Sequence, residues 1–144
     1  MIVIDTSVVV AAMNRRDDRH AEVAAWLETV AGGLITSPLA LAEMDFLVTR
    51  HGGLNAAARL YDDFDAGAYR VEWWPASLYD TLEVARAHPG LGLADASLVA
   101  IAGRLGTIEI ATLDERHFRA LAPLTGEPAF RLLPADAGTS IPRR

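Results

Sequence analysis

The chain opens with an apolar run that ends on a charge: Ile2-Val3-Ile4 leads into Asp5, followed by Thr6 and Ser7. Three β-branched residues in a run too short for a helix predict a buried strand. Similar short apolar runs at 34–36, 69–74, 107–112 and 130–133 predict four more strands. Between them the period changes to that of a helix. Val23, Trp26, Leu27 and Val30 recur at i, i+3, i+4, i+7 and predict a helix over 20–31, stopped by Gly32-Gly33. Ser37-Pro38 supplies a cap and a first-turn proline for a helix to about residue 50, ended by Gly52-Gly53. Shorter helices are expected over 7–13, 55–64, 77–88 and 115–121. Leu98, Ile101, Ala102 and Leu105 share one face of a helix over 95–105 that ends at Gly106. Strands that alternate with helices argue for a parallel sheet covered on both faces. One domain over 1–134 is expected, with a flexible tail over 135–144.

Composition narrows the chemistry. All 13 basic residues of the 144 are arginine, against 19 acids, for a net charge of -6. Without lysine, a P-loop or a Schiff base is excluded. Without cysteine, disulfides, thiolate zinc sites and cysteine nucleophiles are excluded. No apolar run reaches the length of a membrane span and no secretory signal stands at the N-terminus, so a cytoplasmic protein is expected. The acidic balance alone argues against a nucleic-acid partner, although arginine is well suited to bidentate contact with phosphate.

Three acids share a setting. Asp5 follows the first strand, Asp114 follows the fourth, and Asp95 opens a helix. In an open parallel sheet, ligands gather beyond the carboxyl ends of the strands. A fourth acid lies in the helix after Ser37-Pro38, either Glu43 or Asp45. The two point about 200° apart around a 3.6-residue turn, so both cannot face one cleft, and periodicity does not choose between them. Gathered carboxylates repel, by ~4 kcal/mol for a pair at ~4 Å and an effective dielectric of 20. A divalent cation relieves that cost, and oxygen-only ligation suits Mg²⁺ or Mn²⁺. Thr6, Ser7, Ser97 and Thr112 stand beside these acids and are candidates to orient them.

Ile4-Asp5-Thr6-Ser7, Ser37-Pro38 through Ala42-Glu43, Leu93-Ala94-Asp95-Ala96, and Thr112-Leu113-Asp114 with His117-Phe118, in that order and spacing, resemble the PIN-domain ribonucleases, specifically VapC-type toxins. The resemblance runs from Ile2 to about Pro134. It implies a three-layer α/β/α fold with a mostly parallel sheet of four to five strands. It implies a Mg²⁺ or Mn²⁺ site of Asp5, Glu43, Asp95 and Asp114, favouring Glu43 over Asp45, with Asp114 the most variable member. It implies an endoribonuclease that hydrolyses RNA phosphodiesters (tRNA, rRNA or mRNA) and so inhibits translation. The partners it implies are a second copy of the chain and a VapB-type antitoxin. Arg15, Arg16, Arg19, Arg116 and Arg119 are then the candidates for RNA phosphates.

Two other readings compete. A haloacid-dehalogenase-like phosphatase also begins with a strand ending in Asp, but it needs a second Asp where Ser7 stands and usually a lysine. A catalytically silent partner-binding domain would not need the acid set. Of the aromatic residues, Phe46, Phe64 and Phe118 are expected in the core. Trp73 and Trp74 are expected on opposite faces of one strand, and His117 at the surface beside Asp114.

Overall fold

The structure is a computed structural model, and it describes residues 1–138. Five three-residue strands form one sheet: β1 (Ile2–Ile4), β2 (Leu34–Thr36), β3 (Tyr69–Val71), β4 (Glu109–Ala111) and β5 (Arg131–Leu133). Their order is β3-β2-β1-β4-β5, and every pairing is parallel. The helices are α1 (Thr6–Met13), α2 (His20–Thr29), α3 (Pro38–Asp65), α4 (Ser77–Ala87), α5 (Leu93–Leu105) and α6 (Glu115–Arg119). The arrangement is the expected three-layer α/β/α fold.

The chain lays down β2 and β3 on one side of β1, then crosses over to add β4 and β5 on the other. The order therefore reverses between β1 and β4. A crevice opens at such a switch point, because the connections leave the two neighbouring strands in opposite directions. The residues that follow β1 and β4 are Asp5 and Thr112 to Asp114.

Burial explains the local choices. Val3, Ile4 and Ile110 are fully enclosed or nearly so in the central strands, as branched side chains in a doubly covered sheet should be. In α5 the seven residues from Ala96 to Ala102 are all buried, a wider surface than the one expected stripe. The helix packs on α4, α3 and β1 at once, and its small alanines permit that close approach. Gly106 ends it at φ 65 in the left-handed region, where a Cβ is costly.

The expected stop at Gly52-Gly53 takes the form of a break inside α3: Gly53 has φ 73 and ψ -172, and helix resumes after it. The two halves fold back far enough for Tyr61 to donate to Asp45. Phe46 is a correction. It is 60% exposed, because α3 covers the core with the face bearing Ala40, Met44 and Val48. Trp73 and Trp74 are also corrected: β3 ends at Val71, so neither lies in a strand. Trp74 instead donates its indole N–H to Asp80 at 2.9 Å and lies under Arg104.

The expected tail over 135–144 falls largely outside the described residues. Its first part turns back on the domain. Asp136 accepts from the Leu132 backbone N–H at 2.8 Å and from Arg119 at 2.7 and 2.9 Å.

Candidate functional site

Asp5 is the hub. Its backbone N–H donates to the Ala111 carbonyl at 2.9 Å, which ties the end of β1 to the end of β4. The residue is buried, 4% exposed. Oδ2 accepts from Ser7 Oγ at 2.7 Å and from Thr112 Oγ1 at 2.8 Å. Each hydroxyl also accepts a backbone N–H from the turn after β4: Leu113 to Ser7 at 2.9 Å and Asp114 to Thr112 at 3.0 Å. Both hydroxyl protons are thus committed to Asp5, and each relays a backbone dipole onto it. Burial pushes the Asp5 carboxyl above its usual 3.8; the Ser7, Thr112 and Thr6 hydrogen bonds oppose this and the charge of Glu43 adds to it.

Glu43 faces this site, and Asp45 does not. Thr6 Oγ1 donates to Glu43 Oε2 at 2.8 Å, while Asp45 is taken by Tyr61 on the other side of α3. Asp95 sits in the first turn of α5, where the positive end of the helix favours an anion. Its carboxyl is nevertheless raised to about 6, by burial first and then by the charges of Asp5, Glu43 and Asp114. The four acids are thus electrostatic neighbours. Asp114 caps α6, accepting from the His117 backbone N–H at 3.4 Å.

Two expectations need correction and one is extended. His117 is exposed beside Asp114, as expected, and it also reaches the cluster: its Nδ1 lies 2.9 Å from Asp114 Oδ2 and 3.8 Å from Asp95 Oδ2. The i, i+3 spacing across a helix cap was the available signal. Ser97 touches none of the acids. It donates to the Ala94 carbonyl at 2.6 Å and accepts from Ser37 at 2.6 Å, while Ser37 caps α3. It joins the starts of the two helices that carry Glu43 and Asp95. Ser37 went unnoticed in the sequence as anything but a cap. Finally, Arg19 pairs with Glu22 and Arg119 with Asp136 and Glu115. Arg15, Arg16 and Arg116 make no ion pair among the described residues.

The donor set fits a hard divalent cation. Four carboxylates lie within electrostatic reach of one another, and no arginine among the described residues pairs with any of them. Burying a carboxylate is costly, and here the cost raises the Asp5 and Asp95 carboxyls above their ordinary range. As they stand, no three acidic or histidine side chains among the described residues close around one point. Glu43 is turned to Thr6 and Asp114 to His117, so sharing an ion requires those side chains to rotate.

Residues 2–123 match the PIN domain family, and the chain belongs to that family. Within it the chain is of the VapC type: it is 32% identical to Ribonuclease VapC26 of Mycobacterium tuberculosis over 128 residues, covering 87% of this chain and 95% of that protein. Solved structures agree on the fold. VapC20 of Mycobacterium tuberculosis, described as a Sarcin-Ricin loop cleaving toxin, matches with a TM-score of 0.71 and 24% identity over 76% of this chain and 87% of that one. VapBC2 of Rickettsia felis, bound to a DNA fragment from their promoter, matches with a TM-score of 0.61 and 17% identity over 86% and 96%. FitAcB of Neisseria gonorrhoeae matches with a TM-score of 0.55 and 22% identity over 80% and 88%.

Proposed function

We propose that this chain is the toxin of a toxin–antitoxin pair, a metal-dependent endoribonuclease that hydrolyses RNA phosphodiesters and thereby inhibits translation. The observation that carries this is the placement of Asp5, Glu43, Asp95 and Asp114 within electrostatic reach of one another beside the switch point of the sheet, with Asp95 raised to about 6 by burial first and then by the charges of the other three. The VapC-type relatives are named as ribonucleases and toxins, which fits that chemistry.

Asp5 and Asp95 would hold Mg²⁺ or Mn²⁺ directly, with Glu43 and Asp114 completing the set. A bound divalent ion supplies Lewis-acid charge to a phosphodiester and makes water a nucleophile near neutral pH. The chain's own part is to orient. Ser7 and Thr112 fix Asp5, Thr6 fixes Glu43, and His117 holds Asp114 beside Asp95. Arg15, Arg16 and Arg116, which make no ion pair among the described residues, are available to RNA phosphates. The partners in this reading are RNA, a second copy of the chain and a VapB-type antitoxin; the VapBC2 neighbour supports the last. No helix of the described residues is long and apolar enough to cross a membrane, and the reading places the toxin in the cytoplasm.

The phosphatase alternative loses ground because Ser7, which stands where a second Asp is needed, spends its hydroxyl on Asp5. The test is direct. Purified chain, freed of any antitoxin, should cut RNA with Mg²⁺ or Mn²⁺ and stop with EDTA. Release of phosphate from small phosphoesters with RNA left whole would overturn the reading.

A further inference from the structure

A cleft of about 940 Å³ opens at the far end of α1 from the acid cluster. Five basic side chains line it: Arg15 and Arg16 from the connection after α1, His20 from the start of α2, His51 from just before the break in α3, and Arg59 from the helix beyond it. The cleft is assembled from segments far apart in sequence, so spacing gave no sign of it. Arg15, Arg16, His51 and Arg59 are exposed. None of the three arginines makes an ion pair among the described residues. His20 is held in place by the Ala11 carbonyl, 2.8 Å from its Nδ1.

Asp62 and Asp63 also line the cleft. They leave the lining at a formal +1 in a molecule of -6. That is a poor trap for one tightly held anion. It suits a polyanion that passes through and is held elsewhere too. α1 connects the two places. Its first residue, Thr6, donates to Glu43, and its last, Met13, lies in the cleft. Seven residues of helix separate them by about 10 Å, a few nucleotides of a single strand. α3 runs alongside, meeting α1 at Ala40 and again around Val48 and His51.

We infer that this cleft is a second RNA subsite, remote from the reacting phosphodiester, where Arg15, Arg16 and Arg59 hold the backbone of the substrate strand. Arginine is suited to it by its bidentate match to phosphate. The inference rests on the ribonuclease reading and extends it by Arg59 and His51.

The test is binding, read on an Asp5→Asn chain in Mg²⁺ so that the RNA stays whole. The probe is a fluorescent RNA hairpin with single-stranded flanks, titrated at a series of salt concentrations. Each arginine–phosphate contact on a single strand contributes ~0.7 to the slope of log affinity against log salt. Adding Arg15→Ala with Arg59→Ala should weaken binding several-fold and flatten that slope by ~1.4, with circular dichroism unchanged. Arg70→Ala, in β3, removes one charge elsewhere and should leave the slope as it was. If the double variant keeps the parent's affinity and slope, or loses affinity with no change of slope, the subsite is not there, and an acidic protein segment becomes the better occupant. If the parent binds no RNA even at low salt, the ribonuclease reading itself falls.

Discussion

Carboxylates on the two sides of α6 are treated in opposite ways. On one side, Asp114 and His117 face Asp95, Asp5 and Glu43, and Asp95 is pushed up to about 6. On the other, Arg119, two residues past His117 and so about 200° around the helix, binds Asp136 through both terminal guanidinium nitrogens and also reaches Glu115. The Asp136 carboxyl is lowered, chiefly by that hydrogen bond. Nearby, Arg131 pairs with Glu109 at 2.7 Å. The chain thus neutralises acids with arginine where charge only has to be stored, and withholds arginine where four acids lie within electrostatic reach of one another. An arginine among them would settle the electrostatics permanently. Leaving it out keeps the carboxylates available to a cation, as the proposed reading requires.

The largest effect should come from breaking the withheld side. Asp5→Asn or Asp95→Asn removes a ligand charge and keeps the shape. A metal ion supplies several kcal/mol of charge stabilisation, so cleavage should fall by on the order of a thousand-fold. The same variants in EDTA should be no less stable than the parent, because they relieve like-charge repulsion. Wild-type cutting by both would remove the carboxylates from the reaction.

Next is the support of Asp5. Thr112→Val deletes the donor to Oδ2 and the acceptor of the Asp114 N–H in one step. Partners that orient a ligand are worth about 10–100-fold in metal affinity or activity. Calorimetric titration with Mn²⁺ should show a loss of that size, and Ser7→Ala a similar or smaller one. Affinity unchanged in both would mean that these hydroxyls only fasten the β4 turn.

The contrast across α6 also locates what could be read without a structure. Asp5, Asp95 and Asp114 were legible because each stands at the end of a strand or the start of a helix, and local periodicity marks such positions. The sheet was legible for the same reason, down to the length of Leu34–Thr36. Ser97 was misread because proximity in sequence to Asp95 is not proximity in space: on a helix, two residues on is the opposite side. The direction of Glu43 depended on Thr6, 37 positions away. Phe46 looked like core because α3 is apolar almost all round, and only packing decides which face is covered. Which arginines are free is a matter of distant partners such as Asp136, and no local pattern carries it.

A smaller effect separates the two sides by pH. Asp95 has a folded pKa near 6 against an ordinary 3.8, so between those values the folded chain holds a proton that the unfolded chain has lost. Stability then falls as pH rises through the window. The raised Asp5 has the same sign. Asp136, lowered, has the opposite sign, but its partner is exposed and solvent screens it. In EDTA, Tm should drop from pH 4 to pH 6.5, and less steeply in Asp95→Asn. Mg²⁺ should reverse the trend, since it binds the ionised form. A Tm that climbs over this range in EDTA, equally in both chains, would put the repulsion elsewhere.

The smallest effect is the most useful control, because it tests the side where charge is stored. Arg119→Ala breaks the contacts to Asp136 and Glu115. Exposed ion pairs are worth about 0.2–1 kcal/mol, so urea unfolding should lose no more than roughly that amount. Cleavage and RNA binding should be unaffected, since this arginine is already engaged. A large fall in RNA affinity from Arg119→Ala alone would mean that the ion pair opens to admit the substrate. The two sides of α6 would then share one charge network, and the separation between stored and withheld charge would be lost.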